Sequence, residues 1–209
     1  MVANAGLKRR VLRDDVVEHV VDCILSGYLK PGDKIVETRI SRELQVSQGA
    51  VREAIRDLTA RGFVETEPYK GSRVKVLSSG ELYEYYAVRG ELEPLALGWG
   101  FELHKIEINH LEESVEKMLS GIARRDLTAI GLADLEFHRT IVECSGNSSL
   151  VRSWEALAND YWIFTLAKKN FEDGMDLTAH ANEHKLIVEA IGSGDIELMK
   201  GKLRDHFTL

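Results

Sequence analysis

The stretch ADLEFHRT, residues 133–140, sets Asp134 four positions before His138. On a helix that spacing projects both side chains from one face. A carboxylate oxygen beside an imidazole nitrogen is a donor pair that divalent metals accept. Leu132, Leu135, Ile141 and Val142 surround the pair, so it is expected to look into an apolar interior. Two donors do not close a site. His184 begins HKLIVEAI, where Ile187, Val188 and Ile191 mark a buried stripe, and His206 lies beside Leu198, Leu203 and Phe207. One carboxylate and three imidazoles from three helices form a set suited to zinc, nickel or manganese. Spacing alone leaves a second reading open, in which the same residues are hydrogen-bonded polar groups in a helical core. His180, one turn before His184, could flank the site, though a surface position is preferred for it, and His104 and His110 receive no role.

A different chemistry gathers near the other end. Residues 48–62, QGAVREAIRDLTARG, carry Gln48 and Arg52 near a helix start and Arg56 one turn later. Val51, Ile55 and Leu58 form the opposite, core-facing stripe, and Gly62 is a natural C-terminal cap. FVETE and SRVKVL alternate apolar and polar residues about PYKGS, which reads as a β-hairpin. Its tip offers Lys70, with Gly71 and Ser72 allowing close backbone approach to a phosphate.

The elements that must position these groups follow from periodicity. Residues 14–26 have apolar positions at helical spacing, with Asp14 and Asp15 suited to the N-terminal end. GYLKPGDK breaks that helix. A short helix over 36–44 and the tight connection QVS then lead to helix 48–62. Three helices followed by a hairpin is the layout of a winged helix-turn-helix, whose second paired helix enters the DNA major groove. SSGE (78–81) is a small-residue junction, giving a DNA-binding domain over 1–77 and a second domain over 78–209. In the second, helices are expected near 80–103, 105–124, 126–144, 148–169, 176–192 and 195–207. The fold is thus mainly α, a winged helix-turn-helix followed by an antiparallel bundle of about six helices. Trp154, Tyr161, Trp162 and Phe164 on helix 148–169 are assigned mostly to core, with one or two left to line a pocket.

Composition narrows the class. The chain has 209 residues, 44% hydrophobic and 29% charged, as a globular protein does. No apolar run approaches the ~20 residues of a membrane span, and the polar start MVANAGLKRRVLRDD has no secretory h-region. Cys23 and Cys144 are far apart, which argues against a disulfide framework or a thiolate zinc site. A cytoplasmic protein without membrane contact is expected. The net charge of −7 conceals a split. Residues 1–78 hold 14 Lys and Arg against 11 Asp and Glu, whereas 79–209 hold 13 against 23. A balance of +3 before −10 fits two modules with different partners. Neither a P-loop, a dinucleotide fingerprint nor a Ser-His-Asp arrangement is present. HANEH (180–184) fits H-x-x-E-H, a zinc-protease pattern with Glu183 as base, and keeps a metal-dependent hydrolase as an alternative. That pattern requires a further ligand well downstream, where only 25 residues remain.

PGDKIVETRISRELQVSQGAVREAIRDLTARGFVETEPYKGSRVKV closely resembles the DNA-binding domain of GntR-type bacterial transcription regulators. The resemblance implies that Ser47, Gln48, Gly49 and Arg52 face the groove and that Lys70 and Gly71 form the wing tip. The family often has Arg-Thr where this chain has Gln48-Gly49, and Gly where it has Gln45. Arginine favours guanine and glutamine favours adenine, so the operator is expected to differ at that base. Phosphate contacts imply steep salt dependence, and the modest charge implies a homodimer on a roughly palindromic double-stranded operator.

Residues 80–209 resemble the FCD domain of the FadR branch, through LYEYYAVRGELEPLAL, DLEFHRTIVECSGN and HKLIVEAIGSGDIELMKGKLRDH. Six helices rather than seven are similar to its VanR-like subgroup. The resemblance implies a metal held by Asp134, His138, His184 and His206, with open positions for a small organic acid effector. It also implies that Arg89 assists the carboxylate. An Arg89–Glu93 salt bridge at i,i+4 is the competing assignment, and the two are compatible if the effector displaces the internal partner. The function implied is an effector-controlled transcription regulator, not an enzyme. A regulator whose bundle only dimerises is the remaining alternative.

Overall fold

Helix formers fill the start of the chain, and the first helix exploits them. The computed structural model describes the backbone of residues 3–76, 78–157 and 176–208, and their side chains except those of 3–11, 25 and 79. Helix α1 spans Ala3–Leu25. It begins well before Asp14 because the preceding Ala, Leu, Lys and Arg all favour helix. Its Val16, Val17, Val20 and Ile24 are buried.

Strand β1 (Lys34–Ile35), α2 (Glu37–Glu43), α3 (Gln48–Ala60), β2 (Val64–Glu67) and β3 (Gly71–Val74) follow. The expected hairpin is part of a three-stranded sheet in the order β1-β3-β2. Lys34 and Ile35 pair antiparallel with Arg73 and Ser72, while Val64 pairs with Val74 and Glu67 with Gly71. A two-residue strand is too short to leave a period in the sequence, which is why only β2 and β3 were legible. Helix α3 buries Val51, Ala54, Ile55 and Leu58. It closes as a Schellman motif: Gly62 takes φ 77°, and Phe63 N–H donates to the Leu58 carbonyl at 2.9 Å. That turn buries Phe63 completely.

The chain divides into two compact units, Met1–Leu77 and Ser78–Leu209. In the second, α4 (Ser79–Glu102), α5 (Ile108–Arg124), α6 (Leu127–Glu143), α7 (Ser148–Leu157), α8 (Leu177–Ser193) and α9 (Ile196–His206) are joined by short links, except where 158–175 intervene. The helix expected over 148–169 is described only as far as Leu157. Tyr161, Trp162 and Phe164 lie outside the described residues.

Side-chain caps set the helix starts. Ser78 and Glu81 form a reciprocal capping box on α4, and Asp126, Asp176 and Asp195 accept from the first free N–H groups of α6, α8 and α9. Helix α5 packs on α6 and α8, and α9 packs on α4 and α8. Their shared core includes Leu111, Met118, Phe137, Ile187, Met199 and Leu203, all fully buried, each contributing about 1.5–3 kcal/mol by leaving water. A smaller cluster of Ala96, Val142, Leu150 and Trp154 joins α4, α6 and α7. Among the described residues, no helix is long and apolar enough to cross a membrane.

Candidate metal centre and nucleic-acid interface

Three helices of the second unit converge on one polar point within this apolar core. Helix α6 presents Asp134 and His138, α8 presents His180 and His184, and α9 ends in His206. Asp134 Oδ1 lies 3.1 Å from His184 Nε2 and 3.3 Å from His180 Nε2. It is 3.9 Å from His138 Nε2, and the Nε2 atoms of His138 and His184 are 3.3 Å apart. One ligand atom from each of Asp134, His180, His184 and His206 falls within 4.8 Å of all the others. Metal bonds of about 2.1 Å place adjacent donors roughly 3.0–3.4 Å apart, so the separations of 3.1 and 3.3 Å suit a shared divalent ion.

The imidazoles are aimed by what holds their other nitrogens. His138 Nδ1 donates to Glu93 Oε2 at 2.6 Å, His184 Nδ1 to the His180 carbonyl at 2.9 Å, and His206 Nδ1 to Glu183 Oε2 at 3.1 Å. Each arrangement turns Nε2 inward as the potential ligand atom. A neutral His184 would then oppose its lone pair to those of Asp134. A second proton or a cation between them relieves that repulsion, and on this ground the residues fit a metal.

Charge states point the same way. Burial lowers the His138 pKa despite the adjacent Glu93, and burial with the neighbouring His184 brings His206 down to about 3. Both therefore favour the neutral, ligating form. Burial pushes Asp134 upward, but its contacts with the His180, His184 and His138 imidazoles outweigh it and hold the carboxyl well below its usual range.

Behind His138 lies a second buried network. Glu93 accepts from Arg89 Nε at 2.6 Å, Trp154 Nε1 at 2.7 Å and His138 Nδ1 at 2.6 Å. Burial raises the Glu93 pKa, yet Arg89, His138 and these donated hydrogen bonds bring it down to about 2. Arg89 is 3% exposed. Its guanidinium sits 4.8–5.5 Å from the ring centroids of Phe207, Tyr85 and Trp154 and donates to Tyr85 Oη at 3.1 Å. The salt-bridge assignment of Arg89 is therefore realised.

Asp134, His138, His184 and His206 converge on this point, but the group whose ligand atoms lie within 4.8 Å of one another holds His180 in place of His138. His180 does not belong to the surface: its side chain is 22% exposed and bonds to Asp134. Its i,i+4 relation to His184, which repeats that of Asp134 and His138, sets it at the flank of the site. Leu132 is exposed and not part of the apolar surround. Glu93 and Trp154 joined the site unannounced, because their partners lie 45 and 61 residues away in sequence.

In the first unit, Gln48, Gly49 and Arg52 are exposed at the start of α3. Ser47 caps that helix, its Oγ accepting from Ala50 N at 3.2 Å. Arg52 Nε donates to Glu37 Oε2 at 2.9 Å. At the hairpin tip Lys70 pairs with Glu67, and Gly71 has φ 86°. Ser72, expected to offer backbone access, is buried against Thr66 Oγ1 at 2.9 Å. The residue that sequence passed over is Tyr69, fully exposed beside Lys70 with φ 66°.

Comparison with known proteins assigns these two arrangements to known domains. Residues 12–74 match the model described as bacterial regulatory proteins, gntR family, and residues 84–209 match the FCD domain. The chain is 32% identical over 203 residues to the "Probable D-xylose utilization operon transcriptional repressor" of Paenarthrobacter nicotinovorans, covering 96% of this chain and 87% of that protein. It is 29% identical over 192 residues to the gluconate operon transcriptional repressor of Bacillus subtilis (strain 168), covering 88% and 77%. Among solved structures, a GntR transcriptional regulator from Rhodococcus sp. RHA1 aligns with TM-score 0.74 at 23% identity, over 93% of each chain. E. coli McbR/YncC aligns with TM-score 0.72 at 22% identity, over 94% of this chain and 93% of the other. At such identities the structural likeness speaks for the fold.

Proposed function

This chain belongs to the gntR family of bacterial regulatory proteins and carries an FCD domain, and from that premise we propose that a small carboxylate effector, bound at a divalent metal in the second unit, controls its affinity for DNA. That it is a DNA-binding transcriptional regulator and not an enzyme follows from the family and its relatives. Glu183, the would-be base of the zinc-protease pattern, accepts from His206 Nδ1.

The observation that carries the metal reading is the Asp134–His184 contact at 3.1 Å within a ring of inward Nε2 atoms. Asp134, His138, His184 and His206 would hold the ion, which supplies a positive centre able to bind a carboxylate. Glu93 and Glu183 orient two of those imidazoles. Arg89 would supply a second positive charge for the effector, with Glu93 as the internal partner that the incoming carboxylate displaces. In the first unit, Gln48, Gly49 and Arg52 would read base edges, Ser47 would fix the helix start, and Lys70 and Gly71 would meet phosphate. The output is repression from a homodimer on a roughly palindromic operator, a reading supported by the two relatives named as repressors. Coupling requires the effector to bind the DNA-competent and DNA-released conformations unequally.

Elemental analysis of the purified full chain tests the metal, with about one divalent ion per chain expected for one such donor set. Asp134→Ala and His184→Ala are expected to lose it. Thermal shift against a panel of small organic acids is expected to stabilise the metal-loaded chain only. Metal retained in both variants would overturn the site.

A further inference from the structure

Five inward side chains meet where four would make a complete protein ligand set, and they are not held alike. His138, His184 and His206 each have Nδ1 tied to an acceptor at 2.6, 2.9 and 3.1 Å. Among the described residues His180 has none at that range, since its Nδ1 lies 3.8 Å from Glu183 Oε2. Its side chain is also the most open of the four imidazoles, 22% exposed against 1%, 0% and 5% for His138, His184 and His206. Yet its Nε2 points at Asp134 Oδ1 from 3.3 Å, as a ligand's would. Its ring stacks on His206 at 5.1 Å and 25°, on the same imidazole that His138 stacks against at 5.3 Å and 24°. His206 is thus flanked by a tethered imidazole and an untethered one.

We infer that His180 is a displaceable fifth ligand, occupying a metal position that an incoming carboxylate takes over. The inference rests on the metal site proposed above and adds to it an internal competitor. An imidazole without an outer hydrogen bond is less firmly oriented and a weaker ligand than its tethered neighbours. It therefore leaves first when an anionic oxygen donor arrives. His180 stands in the first turn of α8, which begins at Leu177, so its ring swings away without moving the core positions of that helix. While bound, it raises the effector concentration needed for occupancy and sets a threshold that Asp134, His138, His184 and His206 alone would lack.

The test uses the full chain loaded with Co(II), whose visible absorption reports ligand number, and acetate as the probe carboxylate. Wild type, His180→Ala, His180→Gln and His184→Ala are compared, with far-ultraviolet circular dichroism confirming fold. Both His180 variants are expected to keep one Co(II) per chain, with affinity reduced about tenfold or less. Their Co(II) spectra are expected to differ from wild type, and acetate to bind them severalfold more tightly. His184→Ala is expected to lose the metal. Loss of metal on changing His180 would make it a principal ligand and overturn the inference. An unchanged spectrum and acetate affinity would remove it from the coordination sphere, with the same consequence. If wild type itself takes up no Co(II), the metal reading fails, and the inference fails with it.

Discussion

Replacing Glu93 by alanine is expected to be among the most damaging single changes in the second unit. Glu93 is fully buried and accepts hydrogen bonds from Arg89, Trp154 and His138. Its removal strands the Arg89 guanidinium, itself 3% exposed, and such an unpaired buried charge costs about 3–5 kcal/mol. The depressed Glu93 pKa gives a consistent scale. A carboxyl at about 2 when folded and ~4.3 when unfolded contributes on the order of 3 kcal/mol. The sign is that of a lowered carboxyl: the contribution is complete above the unfolded value and is lost as pH falls through about 2. With an unfolding entropy of ~2.1 cal/mol/K per residue, 3–5 kcal/mol lowers the midpoint of a unit spanning Ser78–Leu209 by roughly 11–18 °C. Circular dichroism melts at pH 7 read this directly. The control is Arg89→Met with Glu93→Leu, which removes both charges and leaves the Trp154 N–H and the His138 Nδ1–H without their acceptor, at about 1–3 kcal/mol each. A single variant that loses less than 1 kcal/mol would refute the assignment of Glu93 as the charge partner of Arg89.

Three further changes probe other levels of the structure. Gln45 connects α2 to α3 with φ 53°, so Gln45→Gly is expected to relieve a left-handed side-chain penalty and gain up to about 1 kcal/mol in denaturant unfolding. Gly100→Ala is expected to destabilise the second unit by about 1–3 kcal/mol, because the new Cβ would stand 2.1 Å from Cys144 Sγ and 3.1 Å from the Cys144 carbonyl oxygen; an unchanged melt would contradict that packing. Gln48→Arg is expected to move the base preference from adenine toward guanine in a binding-site selection, and an unchanged selected sequence would remove Gln48 from base readout.

Much of this architecture was legible because it is local. The stripe Val51, Ile55, Leu58 repeats at helical spacing and is buried as read, and Gly62 ends α3 because its left-handed φ needs no special context. Asp134 and His138 share a face for the same geometric reason. What escaped notice depends on chain crossings. Strand β1 exists only because Lys34 and Ile35 meet Arg73 and Ser72, and nothing within two residues announces that pairing. Arg89 and Glu93 could be paired from sequence, one turn apart, but not the arrival of His138 and Trp154 at the same carboxylate. The one-turn spacing of His180 and His184 is equally local and allows His180 to flank the site, but only helix packing decides that its ring turns toward Asp134 and away from the preferred surface position.

The most direct test of the central claim is the operator affinity of the metal-loaded chain, measured by fluorescence anisotropy on a sequence recovered by binding-site selection, with and without each acid of the panel. At least one acid is expected to change Kd by about 5–150-fold, a coupling of about 1–3 kcal/mol, and the change is expected to vanish in Asp134→Ala. An equal shift in Asp134→Ala or in metal-free protein, or no shift with any acid, would contradict control of DNA binding through this metal centre.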